Sequence, residues 1–177
     1  AAVRRVDGVA DAAMLGTSSA TLLLPEGEDP LKIALLGVEP GHTGEPEVVE
    51  GRQLSTGLAE EVIIDRNTAI RGNLSVGDTI TLRTTQGTRD EFYTLQIVGV
   101  SDGQQYSLQP SVFVPFFSWD RIRPKSEAEI GRSNPVANVI LVKLEGSANL
   151  ETVSAQLAQQ VNSVEVATIK QTIQALP

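Results

Sequence analysis

Short apolar-rich runs at residues 9–15, 19–24 and 31–38 dominate the start of the chain, the last two separated by Pro25-Glu26-Gly27-Glu28-Asp29-Pro30. Proline and glycine set turn geometry there, so two or three strands are predicted, the last two a hairpin. Val3 and Val6 share a helical face, and residues 1–6 read as the tail of a helix that begins before the chain does. Residues 39–57 carry Gly, Pro and Glu among few apolar positions, which is loop composition and a boundary. Beyond it, Glu61-Val62-Ile63-Ile64 reads as a strand running into Asp65, whose carboxylate caps a short helix from Arg66 to about Gly72. In Leu74-Ser75-Val76-Gly77-Asp78, Gly77 and Asp78 read as a structural turn: glycine takes positive φ, and the carboxylate accepts nearby backbone amides. Thr79-Ile80-Thr81-Leu82 alternates as a strand, Gln86-Gly87-Thr88 turns it, and residues 92–100 return as its partner. Residues 111–115 predict the last strand of this body, with Ser118 capping a short helix through Trp119 and Ile122. Strand, short helix, turn and hairpin together suggest a small β-barrel-like body.

Residues 124–135 are polar and irregular and read as a connecting loop. Around Val139-Ile140-Leu141-Val142, residues 136–144 are nearly all apolar, which predicts a strand buried on both faces at the centre of its sheet. Asn149 caps a helix whose Leu150, Val153, Leu157 and Val161 form one apolar stripe, and Val164 and Val166 alternate as a further strand. A strand–helix–strand unit must pack on something, and the hairpin of the first 38 residues is the available partner. The expected fold is therefore α+β. A discontinuous α/β subdomain comes from both chain ends, residues 1–40 and 136–177, with a mainly β, barrel-like subdomain inserted at 48–123 and a connection at 124–135. Residues 169–176 have helical spacing and stop without a cap, so both ends look cut from something longer.

Composition narrows the function. The chain has 177 residues, 41% of them apolar, enough for a sizeable core. Fourteen Lys and Arg against 22 Asp and Glu give a net charge of −8, which repels phosphate backbones and argues against nucleic acid. There is no cysteine and one histidine, so thiolate catalysis, disulfides, Cys-rich zinc motifs and His-pair metal sites are excluded. No apolar run approaches the length of a membrane span, and the first residues lack the apolar core of a signal peptide.

Candidate chemistry is sparse. His42, in Gly41-His42-Thr43-Gly44, has no orienting partner by spacing and reads as a solvated loop histidine. Glu45, Glu47 and Glu50 lack the Asp/Asn-rich pattern of a calcium loop. Asp65 and Asp78 are explained by a helix start and a turn rather than by acid–base work. Gly16-Thr17-Ser18-Ser19 has no nucleophile-elbow flanks, and neither a phosphate loop nor a dinucleotide fingerprint is present. No catalytic residue, cofactor or metal is expected. All seven aromatics fall between positions 92 and 119. Phe116, Phe117 and Trp119 form a candidate partner or substrate surface, with core packing as the competing role. Tyr106 and Leu108, in the loop 101–109, are the other candidates for such a surface.

Several words in the chain resemble the MacB-like periplasmic core domain of FtsX-like ABC-transporter permeases. They are Val6-Asp7-Gly8-Val9-Ala10, Leu36-Gly37-Val38-Glu39-Pro40-Gly41 and Val49-Glu50-Gly51-Arg52-Gln53-Leu54, followed by Glu61-Val62-Ile63-Ile64-Asp65 and Leu74-Ser75-Val76-Gly77-Asp78-Thr79-Ile80. Tyr93-Thr94-Leu95-Gln96-Ile97-Val98-Gly99-Val100 and Val112-Phe113-Val114-Pro115 complete the series. Their order and spacing cover nearly the whole chain. The family pattern normally places a strand and helix before the Val-Asp-Gly-Val word, where this chain has only residues 1–6. The resemblance implies a porter-like α/β subdomain with an inserted β subdomain, held outside the cytoplasmic membrane by flanking helices. It implies a non-catalytic role: contact with a substrate or envelope partner, and transmission of movement driven by a cytoplasmic ATPase subunit, beside a second permease copy. The alternative is an autonomous extracytoplasmic ligand-binding module without a transporter. No motif selects the substrate.

Overall fold

The structure is a computed structural model, which describes residues 2–24, 28–102, 110–131, 136–161 and 164–168. The fold is α+β: one mixed eight-stranded sheet with three short helices. It divides into two compact units, Ala1–Ala12 with Leu141–Pro177, and Ala13–Ile140.

In the larger unit the strands are β1 (Val9–Leu23, entering from the smaller unit), β2 (Leu31–Val38), β3 (Val48–Gly51), β4 (Glu61–Asp65), β5 (Thr79–Gln86), β6 (Arg89–Ser101) and β7 (Ser111–Pro115). Six of them close on themselves. β1 pairs antiparallel with β2 from Gly16↔Gly37 to Leu22↔Leu31, and β2 pairs parallel with β7. β7 and β4 are antiparallel, β4 and β6 parallel, and β6 and β5 antiparallel. The ring is completed where β5 returns to β1 through Thr21↔Arg83, Leu22↔Leu82 and Leu23↔Thr81. β3 adds to β6 outside the ring.

Strand alternation explains why the ring closes on a dry interior. Each strand sends an i, i+2 pair into one core: Ala20 and Leu22, Ile33 and Leu35, Val62 and Ile64, Ile80 and Leu82, Leu95 and Ile97, Val112 and Val114. Successive side chains of a strand point to opposite faces, so these pairs fill the inside while the residues between them face out. Burying one such Leu or Ile contributes about 1.5–3 kcal/mol.

Helix α1 (Arg66–Gly72) starts as the sequence predicts. The buried Asp65 carboxylate accepts the Thr68 amide at 2.7 Å through Oδ1 and the Ser111 amide at 3.0 Å through Oδ2. One side chain therefore caps the helix and ties β4 to the start of β7. Asn73, at φ 47°, ends the helix in the left-handed conformation.

In the smaller unit a single 3-10 turn (Val3–Arg5) and α3 (Leu150–Gln160) pack through Val3, Val6, Ala12, Val153 and Leu157. Asn149 Oδ1 accepts the Thr152 amide at 3.0 Å, the predicted cap.

Five expectations change. Residues 39–57, read as loop, contain β3. Residues 9–23 form one strand, because Gly16 does not end it: its inward face receives Trp119. Ser118 lies inside α2 (Phe116–Ile122) and caps nothing; its hydroxyl donates to the Ala59 carbonyl at 2.9 Å. β8 (Val139–Leu144) is last in the strand order, beside β1, with Val139 38% and Ile140 43% exposed, so its apolar run is an edge and not a centre. Residues 164–168 form no strand, and Val164 and Val166 are exposed. The predicted turn residues Pro25, Glu26 and Gly27 and the helical stretch 169–176 lie outside the described residues.

Candidate functional site

α2 closes one end of the ring, and two glycines make room for it. Gly16 and Gly37 are direct cross-strand partners of β1 and β2, with the same inward parity as Leu22 and Ile33. A Cβ on either would sit inside the Trp119 side chain, so the indole lies directly on the glycine pair. Trp119 Nε1 donates to Ser18 Oγ at 2.9 Å, Phe116 stacks on the indole at 5.5 Å, and the Arg123 guanidinium lies 5.5 Å from its centroid. The Thr84 hydroxyl donates to the Ile122 carbonyl at 2.6 Å, and Gln86 Nε2 donates to the Arg123 carbonyl at 2.8 Å, which satisfies the end of the helix.

The following loop is pinned by charge. Arg123 bridges Asp120 at 3.0 Å and Glu129 at 2.9 Å. The Ser126 amide and hydroxyl, then Arg123, hold the Glu129 carboxyl down at about 2. A second fixed pair lies across the loop before β4. Arg52 donates two hydrogen bonds to Glu61, which with the Ser55 amide and hydroxyl keep that carboxyl at about 2.

Of the candidate surface residues, Phe116 and Trp119 are buried, while Phe117 is 50% exposed. Tyr106 and Leu108 lie outside the described residues. A further exposed apolar residue carried no sequence signal beyond being one apolar residue in a polar loop. Leu58, 63% exposed, precedes the Ala59 carbonyl that binds Ser118, the residue after Phe117. One turn on from Phe117, Arg121 pairs with Glu60 at 3.3 Å and lies 6.0 Å from the Tyr93 ring centroid. None of these exposed apolar, paired or aromatic groups is arranged with a second group for bond chemistry. Gly77 sits at φ 97°, and Asp78 Oδ2 accepts the Ser75 amide at 2.8 Å.

Of the titratable candidates, His42 is exposed in its loop, and both Asp65 oxygens are engaged by backbone amides. Among the described residues no three His, Cys, Asp or Glu side chains gather to hold a metal ion, and no helix is long and apolar enough to cross a membrane.

A closed mixed ring with a helix over one end, followed by a short edge strand and helix, defines the fold class; comparison supplies the family. The model of the MacB-like periplasmic core domain matches residues 1–160, and the chain belongs to that family. The extracellular domain of the noncanonic ABC-type transporter YknZ from Gram-positive bacteria is similar in structure, with TM-score 0.61 and 17% identity over 86% of this chain and 74% of that one. The periplasmic region of MacB from Actinobacillus actinomycetemcomitans is similar with TM-score 0.58 and 18% identity, over 99% of this chain and 80% of that one. No curated protein matches the chain.

Proposed function

We propose that the chain is the extracytoplasmic domain of an ABC-transporter permease subunit in the cytoplasmic membrane, that it catalyses no reaction, and that it passes on movement driven by a cytoplasmic ATPase. The observation that carries this is the family match across residues 1–160. The similar extracellular domain of the ABC-type transporter YknZ and the similar periplasmic region of MacB support it. In this reading the unit formed by residues 1–12 and 141–177 communicates with membrane helices and with a second permease copy, and the exposed Phe117 of the larger unit meets an exported substrate or an envelope protein. The mechanism is a change between discrete domain arrangements, not bond chemistry.

The chain has no cysteine, so once any cysteines elsewhere in the permease and its ATPase are replaced, a single one reports cleanly. In the full-length permease with its ATPase, Phe117→Cys is expected to react with a membrane-impermeant maleimide in intact cells, at a rate that changes severalfold when ATP and vanadate trap the complex. Labelling that requires permeabilised cells overturns the location. A rate that is the same in all nucleotide states, together with undiminished transport by Phe117→Asp, overturns the contact and movement.

A further inference from the structure

The register of the ring assembles a feature that has no linear signal. Thr21 is the direct partner of Lys32 on β2 and of Arg83 on β5. Residues directly opposite in antiparallel strands share a face, so Lys32, Thr21 and Arg83 form one row across three strands. Their neighbours Ala20, Leu22, Ile33 and Leu82 occupy the interior, which puts the row on the outside. The row spans two strand spacings, about 10 Å, within reach of two long cationic side chains converging over the central threonine.

This row lines a shallow cleft of about 360 Å³, completed by Ser19, Thr84, Thr85 and two prolines. Its chemistry is one-sided. The lining holds two cations and four hydroxyls and no carboxylate, on a chain whose net charge is −8. Two of the hydroxyls are spent: Thr84 donates to the Ile122 carbonyl, and Thr85 donates to Asp90 at 3.1 Å. Asp90 also stands 3.9 Å from Arg83 Nε, on the rim, which holds the guanidinium from its stem side. Among the described residues Lys32 has no ion pair. Nor do the terminal nitrogens of Arg83 or the hydroxyls of Ser19 and Thr21 have a hydrogen-bond partner there.

We propose that this cleft binds the phosphoryl group of a phosphate-bearing ligand. A planar carboxylate is satisfied by one guanidinium fork. Donors arriving from two sides, Lys32 and Arg83, with Thr21 and Ser19 beneath, match instead a tetrahedral anion with several acceptor oxygens. The inference stands apart from the permease reading, because it needs only the ring and its register. A phospholipid headgroup and a soluble phosphate ester share this chemistry.

The test titrates inorganic phosphate into the isotopically labelled 177-residue chain, with chloride at matched ionic strength as the reference. Saturable amide shifts are expected at Thr21, Lys32 and Arg83. Lys32→Gln and Arg83→Gln each weaken binding by about fivefold or more, as the loss of a charge-assisted hydrogen bond should, while Arg66→Gln does not. Both positions are on the surface, and unchanged melting of the variants shows that the ring is intact. Shifts spread over the surface without this focus, or equal affinity in all three variants, overturn the proposal. With focused shifts in hand, sedimentation with phosphatidylglycerol vesicles that is lost in Arg83→Gln supports the proposal with a lipid headgroup as the source. Retention in the supernatant supports it with a soluble ester.

Discussion

The closed ring and the α3 unit reach different depths of burial. In the ring each of six strands gives an alternating pair to a common interior, and Phe116, Trp119 and Ile122 seal one end. Around α3 five of the described residues are buried, and Leu150 of its stripe faces solvent. A closed ring removes the unpaired edges that an open sheet leaves, whereas β8 keeps one. Stability should therefore concentrate in the ring, with α3 at the low end of the local opening energies.

The strongest way to break this comparison is Trp119→Ala, which empties the space over Gly16 and Gly37 and removes the Phe116 stack and the Arg123 contact. The expected loss is about 3–5 kcal/mol in urea unfolding. If α3 amides lose protection at the same denaturant concentration as the ring, the two regions are one cooperative unit. Leu157→Ala is the converse. A loss of about 2–3 kcal/mol is expected in α3 while ring amides keep their exchange rates; faster exchange in β4 or β7 would contradict the ranking. Gly77→Val isolates backbone geometry, since an added Cβ there meets nothing within 4 Å. At φ 97° a β-branched residue should cost about 1–2 kcal/mol, read as a lowered melting temperature.

The smallest effect is electrostatic. The Glu61 carboxyl lies at about 2, below the ordinary unfolded value near 4.3, so its contribution is complete above that value and is lost as the pH falls from about 4.3 towards 2. The pair with Arg52 is largely solvent-screened and should be worth less than about 1 kcal/mol. Glu61→Gln should flatten the stability profile over that acid window and leave its slope above pH 5 unchanged.

Elements whose signals are local were legible in the sequence. Asp65 and Asn149 cap the helices they were expected to cap, and the Gly77-Asp78 turn and the β5–β6 hairpin stand where alternation and turn chemistry put them. What failed depended on partners distant in sequence. The apolar run at Val139 and Ile140 looks like a central strand because composition reports burial only if neighbours exist on both sides. Gly16 looks like a break because nothing near it reveals a tryptophan 103 positions later. Phe117 belongs to an aromatic run visible in the sequence, whereas the Ser118–Ala59 contact beside it joins positions 59 apart and has no local signal. The Lys32–Thr21–Arg83 row was invisible, since it exists only once the register of three strands is known.

The seam between β1 and β5 also dictates an order of events in time. Two junctions in the ring are the most distant in sequence: β2–β7 joins Ala34 to Ser111, 77 positions apart, and the seam joins Thr21 to Arg83, 62 positions apart, through three residue pairs. The β1–β2 and β5–β6 hairpins are local and can form early, whereas bringing residues this distant together carries a loop-closure entropy that slows the step. Until it happens, β1 and β5 both present unpaired edges, the template for joining a neighbouring molecule instead of each other. Pairing across such distant strands thus sets a race between closure of the ring and aggregation.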